Sequence, residues 1–288
     1  MEHEETSPGG PGRFDEARSV LAAIRFLAPV VRKPVFHEGC DTADYLPLET
    51  HEVWIENARL SAGRCSLEEQ GFLIVRRSSA VVDFLSAAGR QQYLREVEQL
   101  IVDLTGAVKA VALANGVIRR SERASGHRRD GTTVPGRFAH CDFSPNPAGS
   151  RFWVESLLGA DEARARLGGR FALYNVWRPL SAPPQDTPLA LCDARSVART
   201  DAVGCDQILC QADGRRIEFE LSVFRYSPAQ RWCYFPDMGS DEVLVFRGFD
   251  SDPRRAGGVP HAAFDAPGCA ASARPRESID ERVIAFYD

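Results

Sequence analysis

The chain has 288 residues and a mass of 31.7 kDa, and its 44% hydrophobic and 26% charged residues are typical of a globular protein, which excludes wholesale disorder. A formal net charge of −5 excludes a protein whose main task is to neutralise nucleic-acid phosphates. Among the 35 basic residues only Lys33 and Lys109 are lysines. A single arginine is therefore weak evidence of function in this chain.

The compartment is predicted from the N-terminus, the apolar runs and the cysteines. No stretch reaches the roughly 18 apolar residues of a membrane span, and the acidic first residues differ from a basic secretory signal. The eight cysteines form neither a C-x-x-C pair nor a zinc-type pattern. We therefore expect a cytoplasmic protein with reduced thiols and no membrane segment.

The N-terminal half has a mixed pattern of predicted elements. Residues 1–12 are rich in Glu, Ser, Pro and Gly, a composition that predicts a loose tail. Residues 72–75 predict a strand, and apolar residues at steps of three and four predict an amphipathic helix over residues 91–104. Gly106 follows the end of this helix, and a further strand is predicted at residues 108–113.

Strands dominate the second half, after a polar segment at residues 121–133 that we interpret as a mobile loop over a site. One helical insertion is predicted at residues 150–167, with Asp161 as the N-cap of its second part. Six strands are predicted, at residues 171–177, 189–192, 217–226, 232–235, 243–249 and 283–287. Many short strands with few crossover helices favour an antiparallel sandwich or barrel.

His140 and Asp142 are the first candidates for a chemical site. Side chains two residues apart in an extended segment project to the same face, so the two could hold one metal ion. A His-x-Asp pair also arises by chance, as a surface histidine beside an acid in a loop. The pair alone does not distinguish these alternatives.

His261 adds a second imidazole to this pair. It follows a predicted strand late in the chain, and a jelly-roll barrel places an early strand beside a late one. Two imidazoles and one carboxylate on one face of a metal leave three positions open, as in non-haem Fe(II) oxygenases. Few other triads are available, because the chain has only six histidines.

An arginine beyond His261 would complete a site for 2-oxoglutarate, because a planar guanidinium pairs with its distal carboxylate. Arg282 opens an apolar final strand, and Arg276 shares a strand face with the hydroxyl of Ser278. Arg276 is slightly favoured. Spacing does not decide between the two arginines, and a structural ion pair is the alternative for either one.

Several motifs recur together along the chain. They are EQGF at residues 69–72, DF at 83–84, TGA at 105–107, YNVWRPL at 174–180, PLALCD at 188–193, YFPDM at 234–238, DEVL at 241–244, PH at 260–261 and PRESI at 275–279. As a set they resemble the CmcJ/NvfI/AsaB-type hydroxylase/desaturase family of bacterial and fungal oxygenase-like proteins. The resemblance covers roughly residues 20–288. It implies an Fe(II)/2-oxoglutarate-dependent enzyme with a double-stranded β-helix core.

The resemblance also implies a set of site residues. His140, Asp142 and His261 match the metal-binding positions of the family. Arg276 falls in the Pro-Arg-Glu-Ser motif together with Ser278, and Arg282 matches the arginine that follows this motif. These residues are the candidates for binding 2-oxoglutarate.

Further candidates come from the N-x-W-R-P motif, whose strand usually lines the cofactor pocket. Asn175 or Arg178 would then contact 2-oxoglutarate. Trp177 would pack in the core or contact the substrate. Tyr234 would present its hydroxyl to the pocket, or else its ring packs in the core.

The resulting fold class is α+β but mainly β, with a double-stranded β-helix (jelly-roll, cupin-like) core and supporting helices. One domain is expected over residues 13–288, in which residues 138–288 form the core and residues 13–137 form support and substrate cover.

The implied function is a dioxygenase that uses Fe(II), 2-oxoglutarate and O2 to abstract a hydrogen from a small molecule in bacterial secondary metabolism. Hydroxylation, desaturation and oxidative cyclisation all remain open. Arg119 and Arg120 precede the metal strand and would bind a carboxylate, as of an amino acid or another acid, or else form a solvated charge run. No nucleic-acid or membrane partner is expected, and the chain is either a monomer or a homodimer.

Three other functions compete with this prediction. A cupin-type metalloenzyme would act without 2-oxoglutarate, and a helper subunit would keep the barrel without catalysis. The complete triad argues against the helper subunit. A hydrolase with Cys141 as nucleophile is disfavoured, because Cys141 and His140 are adjacent in a strand and face opposite sides.

Overall fold

The structure is a computed structural model that describes residues 18–113, 116–124, 132–210, 214–255, 257–267 and 273–288. The predicted tail at residues 1–12 and the middle of the predicted loop at residues 121–133 lie outside the described residues.

Strands dominate the described part of the chain. In chain order they are β1 (Ser19–Leu27), β2 (Val35–Glu38), β3 (Leu48–Asn57), β4 (Phe72–Arg76), β5 (Lys109–Ala112), β6 (Val117–Arg120), β7 (His140–Cys141), β8 (Phe171–Pro179), β9 (Leu189–Cys192), β10 (Ala202–Cys210), β11 (Arg216–Phe224), β12 (Trp232–Tyr234), β13 (Glu242–Asp250), β14 (His261–Ala263) and β15 (Glu277–Phe286). The α-helices are α1 (Ala87–Thr105), α2 (Pro147–Leu157) and α3 (Ala160–Leu167), and short 3-10 segments cover Ala58–Arg64, Ala194–Ser196 and Arg199–Asp201.

Two sheets build the fold. The larger has the strand order β1-β3-β12-β9-β14-β7-β11-β10-β2, and the smaller has the order β4-β13-β8-β15-β5, with β6 also paired to β15. Among the described strands the pairing is antiparallel except between β2 and β10 and between β3 and β12. The prediction of a mainly antiparallel β fold is confirmed.

Side-chain alternation along β8 gives the smaller sheet two distinct faces. Trp177 packs with Leu189 and Leu191 of the larger sheet, so its face lines the space between the sheets. Tyr174 and Val176 belong to a cluster on the opposite face, which packs against α1. The site described below lies on the inner face.

Helix α1 covers the outer face of the smaller sheet. Ser86 is its N-cap and accepts a hydrogen bond from the backbone N–H of Gly89, and the helix ends at Gly106, whose φ of 67° suits a residue without a side chain. The buried residues Tyr93, Val97, Leu100 and Ile101 follow the predicted apolar period. The predicted helix at residues 91–104 is confirmed and begins one turn earlier.

The predicted helical insertion at residues 150–167 is instead two helices, α2 and α3. Gly159 has an extended backbone between them and is the N-cap of α3. Asp161 was therefore wrongly predicted as the N-cap. It lies in the first turn of α3, where a carboxylate interacts favourably with the helix dipole.

The prediction that all cysteines are reduced is wrong for one pair. Cys40, which follows β2, and Cys210, at the end of β10, form a disulfide with an S–S distance of 2.06 Å. The two residues are 170 positions apart, so only the parallel pairing of β2 with β10 brings them together. Stable disulfides are typical of oxidising compartments, so the cytoplasmic location stays a prediction.

None of the helices in the described residues has the length and apolar character that a membrane crossing requires.

Candidate metal centre and cofactor pocket

His140 and His261 lie side by side because their strands are neighbours. Strands β7 and β14 are antiparallel, and His140 and His261 are direct partners in the register. Their ring centroids are 4.3 Å apart. Asp142 follows β7 by one residue, and its Oδ1 lies 3.7 Å from His140 Nε2. One potential ligand atom from each of the three residues lies within 4.8 Å of the others, and all three residues are buried.

Both imidazoles are fixed by their Nδ1 atoms. Nδ1 of His140 lies 2.8 Å from the carbonyl oxygen of Phe138, and Nδ1 of His261 lies 3.2 Å from that of Val259. A carbonyl oxygen only accepts hydrogen bonds, so each Nδ1 carries the proton and each Nε2 keeps its lone pair for a metal.

Burial keeps both rings neutral. Desolvation, together with the neighbouring His261, lowers the pKa of His140 to about 3, and desolvation also lowers the pKa of His261. A metal ligand must be the neutral imidazole, so these rings need not lose a proton first at neutral pH. Two neutral imidazoles and one carboxylate form a donor set that fits Fe(II).

Asp142 is held on its second oxygen. Asn175 Nδ2 donates to Asp142 Oδ2 at 2.6 Å, and Arg282 Nε donates to the same oxygen at 2.9 Å. Burial opposes ionisation of Asp142, but the Arg282 guanidinium, which donates to it, holds its pKa well below its usual range. The carboxylate is therefore ionised and oriented.

A cavity lies beside the two imidazoles, and Arg276 is one of its lining residues, together with Arg119, Trp177 and Asp280. The Arg276 side chain is fully buried. Its Nη1 donates to the carbonyl oxygen of Thr187 at 2.8 Å, whereas its Nε has no hydrogen-bond partner among the described residues. Desolvation and the nearby cations Arg119 and Arg137 lower the pKa of Arg276 to about 9. Such a guanidinium would be stabilised by an anion.

Of the other residues predicted to bind 2-oxoglutarate, Ser278 has a hydroxyl without a described partner, whereas Asn175 and Arg282 already contact Asp142. Ser278 lies near the start of β15, two residues after Arg276, and its buried hydroxyl has no partner among the described residues. Asn175 and Arg282 are paired with Asp142, so the structure does not leave them free for 2-oxoglutarate.

Arg178 is not brought to the cavity. It lies on the outer face of β8, where Nη1 donates to the carbonyl oxygen of Ser240 at 2.5 Å and Nε lies 3.4 Å from the hydroxyl of Tyr93. Strand alternation places it opposite Asn175 and Trp177. Its predicted contact with 2-oxoglutarate is therefore not supported by its position.

The predicted substrate residues also divide between two faces. Arg119 and Trp177 line the cavity. Arg120 follows Arg119 in β6, and its Nη2 donates to Glu277 at 3.0 Å. Tyr234 packs edge-on against Phe264 in a cluster with Ala190 and Ala262, whose neighbours Leu189 and His261 face the cavity. Tyr234 and Arg120 thus do not reach the cavity in this structure.

Asp280 and Gly136 belong to the site but were not predicted from the sequence. Asp280 lines the cavity and contacts both Asn175 and Arg282. Its position two residues before Arg282 was the available signal. A Cβ on Gly136 would lie 2.8 Å from Cε1 of His140, so only glycine fits beside that ring. Sequence spacing gave no sign of this contact.

Residues 25–286 match the protein family described as an oxidoreductase/YMDC permease-like domain. The Fe(II)/2-oxoglutarate-dependent dioxygenase NvfI of Aspergillus novofumigatus is 31% identical over 246 residues, which cover 82% of this chain and 83% of the relative. The hydroxylase/desaturase EfuI of Hormonema carpetanum is 30% identical over 257 residues, which cover 83% and 84%. The solved structure of the iron and alpha-ketoglutarate-dependent endoperoxidase NvfI matches with a TM-score of 0.82 and 26% identity, over 94% of this chain and 98% of that one.

These similarities confirm the predicted resemblance to the NvfI/AsaB-type proteins and the jelly-roll fold. They favour the 2-oxoglutarate-dependent enzyme over a cupin-type enzyme without 2-oxoglutarate and over a helper subunit. The relatives named above are fungal, so the prediction of a bacterial pathway is not supported.

Proposed function

The chain belongs to the family described as an oxidoreductase/YMDC permease-like domain and is an Fe(II)/2-oxoglutarate-dependent dioxygenase; on this premise we propose which residues bind the iron, the co-substrate and the substrate. We further propose that residues 13–288 act as one domain, since β3 pairs with β12 and β4 pairs with β13.

His140, Asp142 and His261 are the proposed iron ligands. The proposal is supported by the convergence of their ligand atoms within 4.8 Å and by the proton on each Nδ1, which directs both Nε2 lone pairs to the metal. When bound with 2-oxoglutarate and O2, iron supplies a two-electron oxidation in which 2-oxoglutarate becomes succinate and CO2 while the substrate is hydroxylated or loses two hydrogens as water.

Arg276 is the proposed partner of the distal carboxylate of 2-oxoglutarate. Two observations support it: the guanidinium lines the cavity beside the imidazoles, and its buried Nε–H has no partner among the described residues. A carboxylate would satisfy this donor and compensate the buried charge. The buried Ser278 hydroxyl, two residues after Arg276, is the proposed second donor. Arg276 and Ser278 would hold the co-substrate in place, and the rings of Trp177 and Phe246, which line the cavity, would exclude water.

The proposed substrate is a small molecule of secondary metabolism with a carboxylate that binds Arg119. The described hydrogen bonds of the Arg119 side chain both use Nη1, which donates to Thr133 Oγ1 at 2.9 Å and to the carbonyl oxygen of Val134 at 3.0 Å. Glu38 lies at the edge of ion-pair distance, 3.9 Å away. The other edge of the guanidinium would then be available at the cavity. Hydroxylation, desaturation and cyclisation each begin with hydrogen abstraction from such a substrate.

The direct test is turnover of 2-oxoglutarate by the full-length protein. We expect Fe(II)-dependent formation of succinate from 2-oxoglutarate under air, and an increase in thermal stability with Mn(II) plus 2-oxoglutarate. A protein that binds Mn(II) but shows neither succinate formation nor a response to 2-oxoglutarate would contradict the proposed co-substrate site.

A further inference from the structure

The two oxygens of Asp142 have different neighbours: Oδ2 accepts two hydrogen bonds, and Oδ1 lies 3.7 Å from His140 Nε2. We infer that Asn175 and Arg282 are positioning residues that keep Asp142 a monodentate ligand through Oδ1, an inference that rests on the proposed iron site. Neither residue binds 2-oxoglutarate in this arrangement.

The two donors converge on one atom from one sheet. Asn175 in β8 and Arg282 in β15 are direct cross-strand partners. Asn175 Nδ2 lies 2.6 Å and Arg282 Nε 2.9 Å from Asp142 Oδ2. Asp142 itself follows a strand of the larger sheet. The two hydrogen bonds therefore fix the Asp142 carboxylate, beside the larger sheet, against two donors on the smaller sheet.

The Asn175 amide can have only one orientation. Its Nδ2 faces Asp142 Oδ2 and also lies 3.3 Å from Asp280 Oδ1, while its Oδ1 is buried without a partner among the described residues. A flipped amide would place an oxygen against two carboxylates, which repel it. Asp280 also lies 3.4 Å from Nη2 of Arg282, so it orients both donors.

These contacts would determine how many coordination positions of a bound metal the protein occupies. A carboxylate can bind a metal through one or both oxygens. Two charge-assisted or short hydrogen bonds to Oδ2 make that oxygen a poor ligand, whereas Oδ1 lies toward His140. Monodentate binding by Asp142 would leave three of the six positions of an octahedral metal open, which is the number that a chelating 2-oxo acid and O2 require.

The contacts also favour Arg276 over Arg282 as the anchor of 2-oxoglutarate, because Nε and Nη2 of Arg282 already contact Asp142 and Asp280. To pair Nε and Nη2 with a second carboxylate, the guanidinium would have to leave Asp142 and Asp280, two buried acids. Removing one partner from a buried ion pair is strongly destabilising, because the other charge stays buried without compensation. Arg276 is under no such constraint, because its Nε has no described partner.

The test uses Co(II) as a probe of the full-length protein. We expect Asn175→Ala and Arg282→Lys to weaken Co(II) binding by about 10- to 100-fold, as for other residues that orient metal ligands. The d–d absorption spectrum of bound Co(II) should also change, because a released carboxylate can add its second oxygen. Tyr174→Phe is the matched control: it removes one hydrogen bond, to Tyr287, from the outer face of the same strand. Its affinity and spectrum should match the wild type.

The inference is overturned if both variants keep the melting temperature of the wild-type apoprotein, the wild-type affinity and the wild-type spectrum. If Arg282→Lys does not fold, Asn175→Ala decides alone. A wild-type protein that binds no Co(II) would overturn the proposed iron site itself and, with it, this inference. Normal binding by the wild type with unchanged variants overturns the positioning role only.

Discussion

His261 lies directly opposite His140 in the antiparallel register, with the two imidazole centroids 4.3 Å apart. The two residues are separated by 120 residues of chain, so the pairing depends on the whole barrel rather than on a local motif. The first prediction tests this pair directly.

Replacing either imidazole should abolish metal-dependent behaviour. We expect His140→Ala and His261→Ala to form no succinate and to lose the increase in melting temperature with Mn(II), which should be about 5–10 °C for the wild type at saturating ligand. His51→Ala is the control, because His51 stacks on Tyr226 away from the site. Succinate formation at the wild-type rate by either variant would refute the ligand assignment.

Arg276 and Arg282 should give opposite phenotypes. Arg276→Lys removes a planar guanidinium from the proposed carboxylate site, so it should raise the dissociation constant for 2-oxoglutarate by about 10- to 100-fold and leave Co(II) affinity within about twofold. Arg282→Lys should mainly weaken Co(II) affinity, because Arg282 contacts Asp142. Calorimetric titration of both ligands measures the two effects.

The same comparison identifies the opposite assignment. If Arg282→Lys loses 2-oxoglutarate affinity while Arg276→Lys does not, the 2-oxoglutarate anchor is Arg282, and the roles proposed for the two arginines are reversed.

The triad and the helix were predictable because each depends on a short period or on the order of strands. Spacing of two placed His140 and Asp142 on one face, and the three- and four-residue steps of apolar residues predicted α1. His261 required only the general topology of a jelly roll.

The roles of Arg276 and Arg282 were not predictable, because both lie on the same face of one chain segment and differ only in their partners. Arg282 contacts Asp142, which follows a strand of the larger sheet, and its cross-strand neighbour is Asn175 in β8. The disulfide joins Cys40 and Cys210, which are 170 positions apart, so no local sequence pattern predicts it. Strand β1 was missed because apolar residues occupy both of its faces: Leu21 is 39% exposed while Ile24 is buried.

Arg119 should determine the choice of substrate. We expect Arg119→Gln to reduce the stabilisation of the Mn(II)/2-oxoglutarate-loaded protein by small apolar carboxylic acids, because the charged partner is removed. The methyl esters of the same acids should stabilise neither protein. Arg120→Gln is the control, since Arg120 donates to Glu277 instead of lining the cavity. A thermal-shift panel checks the prediction, and equal responses of wild type and Arg119→Gln to every acid would contradict it.

Glu281 should make stability depend on pH. This buried carboxylate accepts hydrogen bonds from the backbone N–H groups of Gly116 and Arg282, at 2.6 and 3.1 Å. Burial raises its pKa from 4.5 to about 8. The folded state therefore binds the proton of Glu281 more tightly than the unfolded state does. The contribution of the protonated Glu281 to the stability of the fold is complete below pH 4.5 and is lost as the pH rises through 8.

Glu281→Gln should remove this dependence, because an amide remains neutral and its oxygen still accepts the Gly116 bond. The difference in unfolding free energy between Glu281→Gln and the wild type should rise between pH 5 and pH 8, by up to about 1.4 kcal/mol per pH unit, in favour of the variant. Glu155→Gln, at an exposed position, is the control. Urea unfolding at pH 5, 6, 7 and 8 measures the difference, and parallel stability profiles for Glu281→Gln and the wild type would show that Glu281 stays ionised in the folded protein.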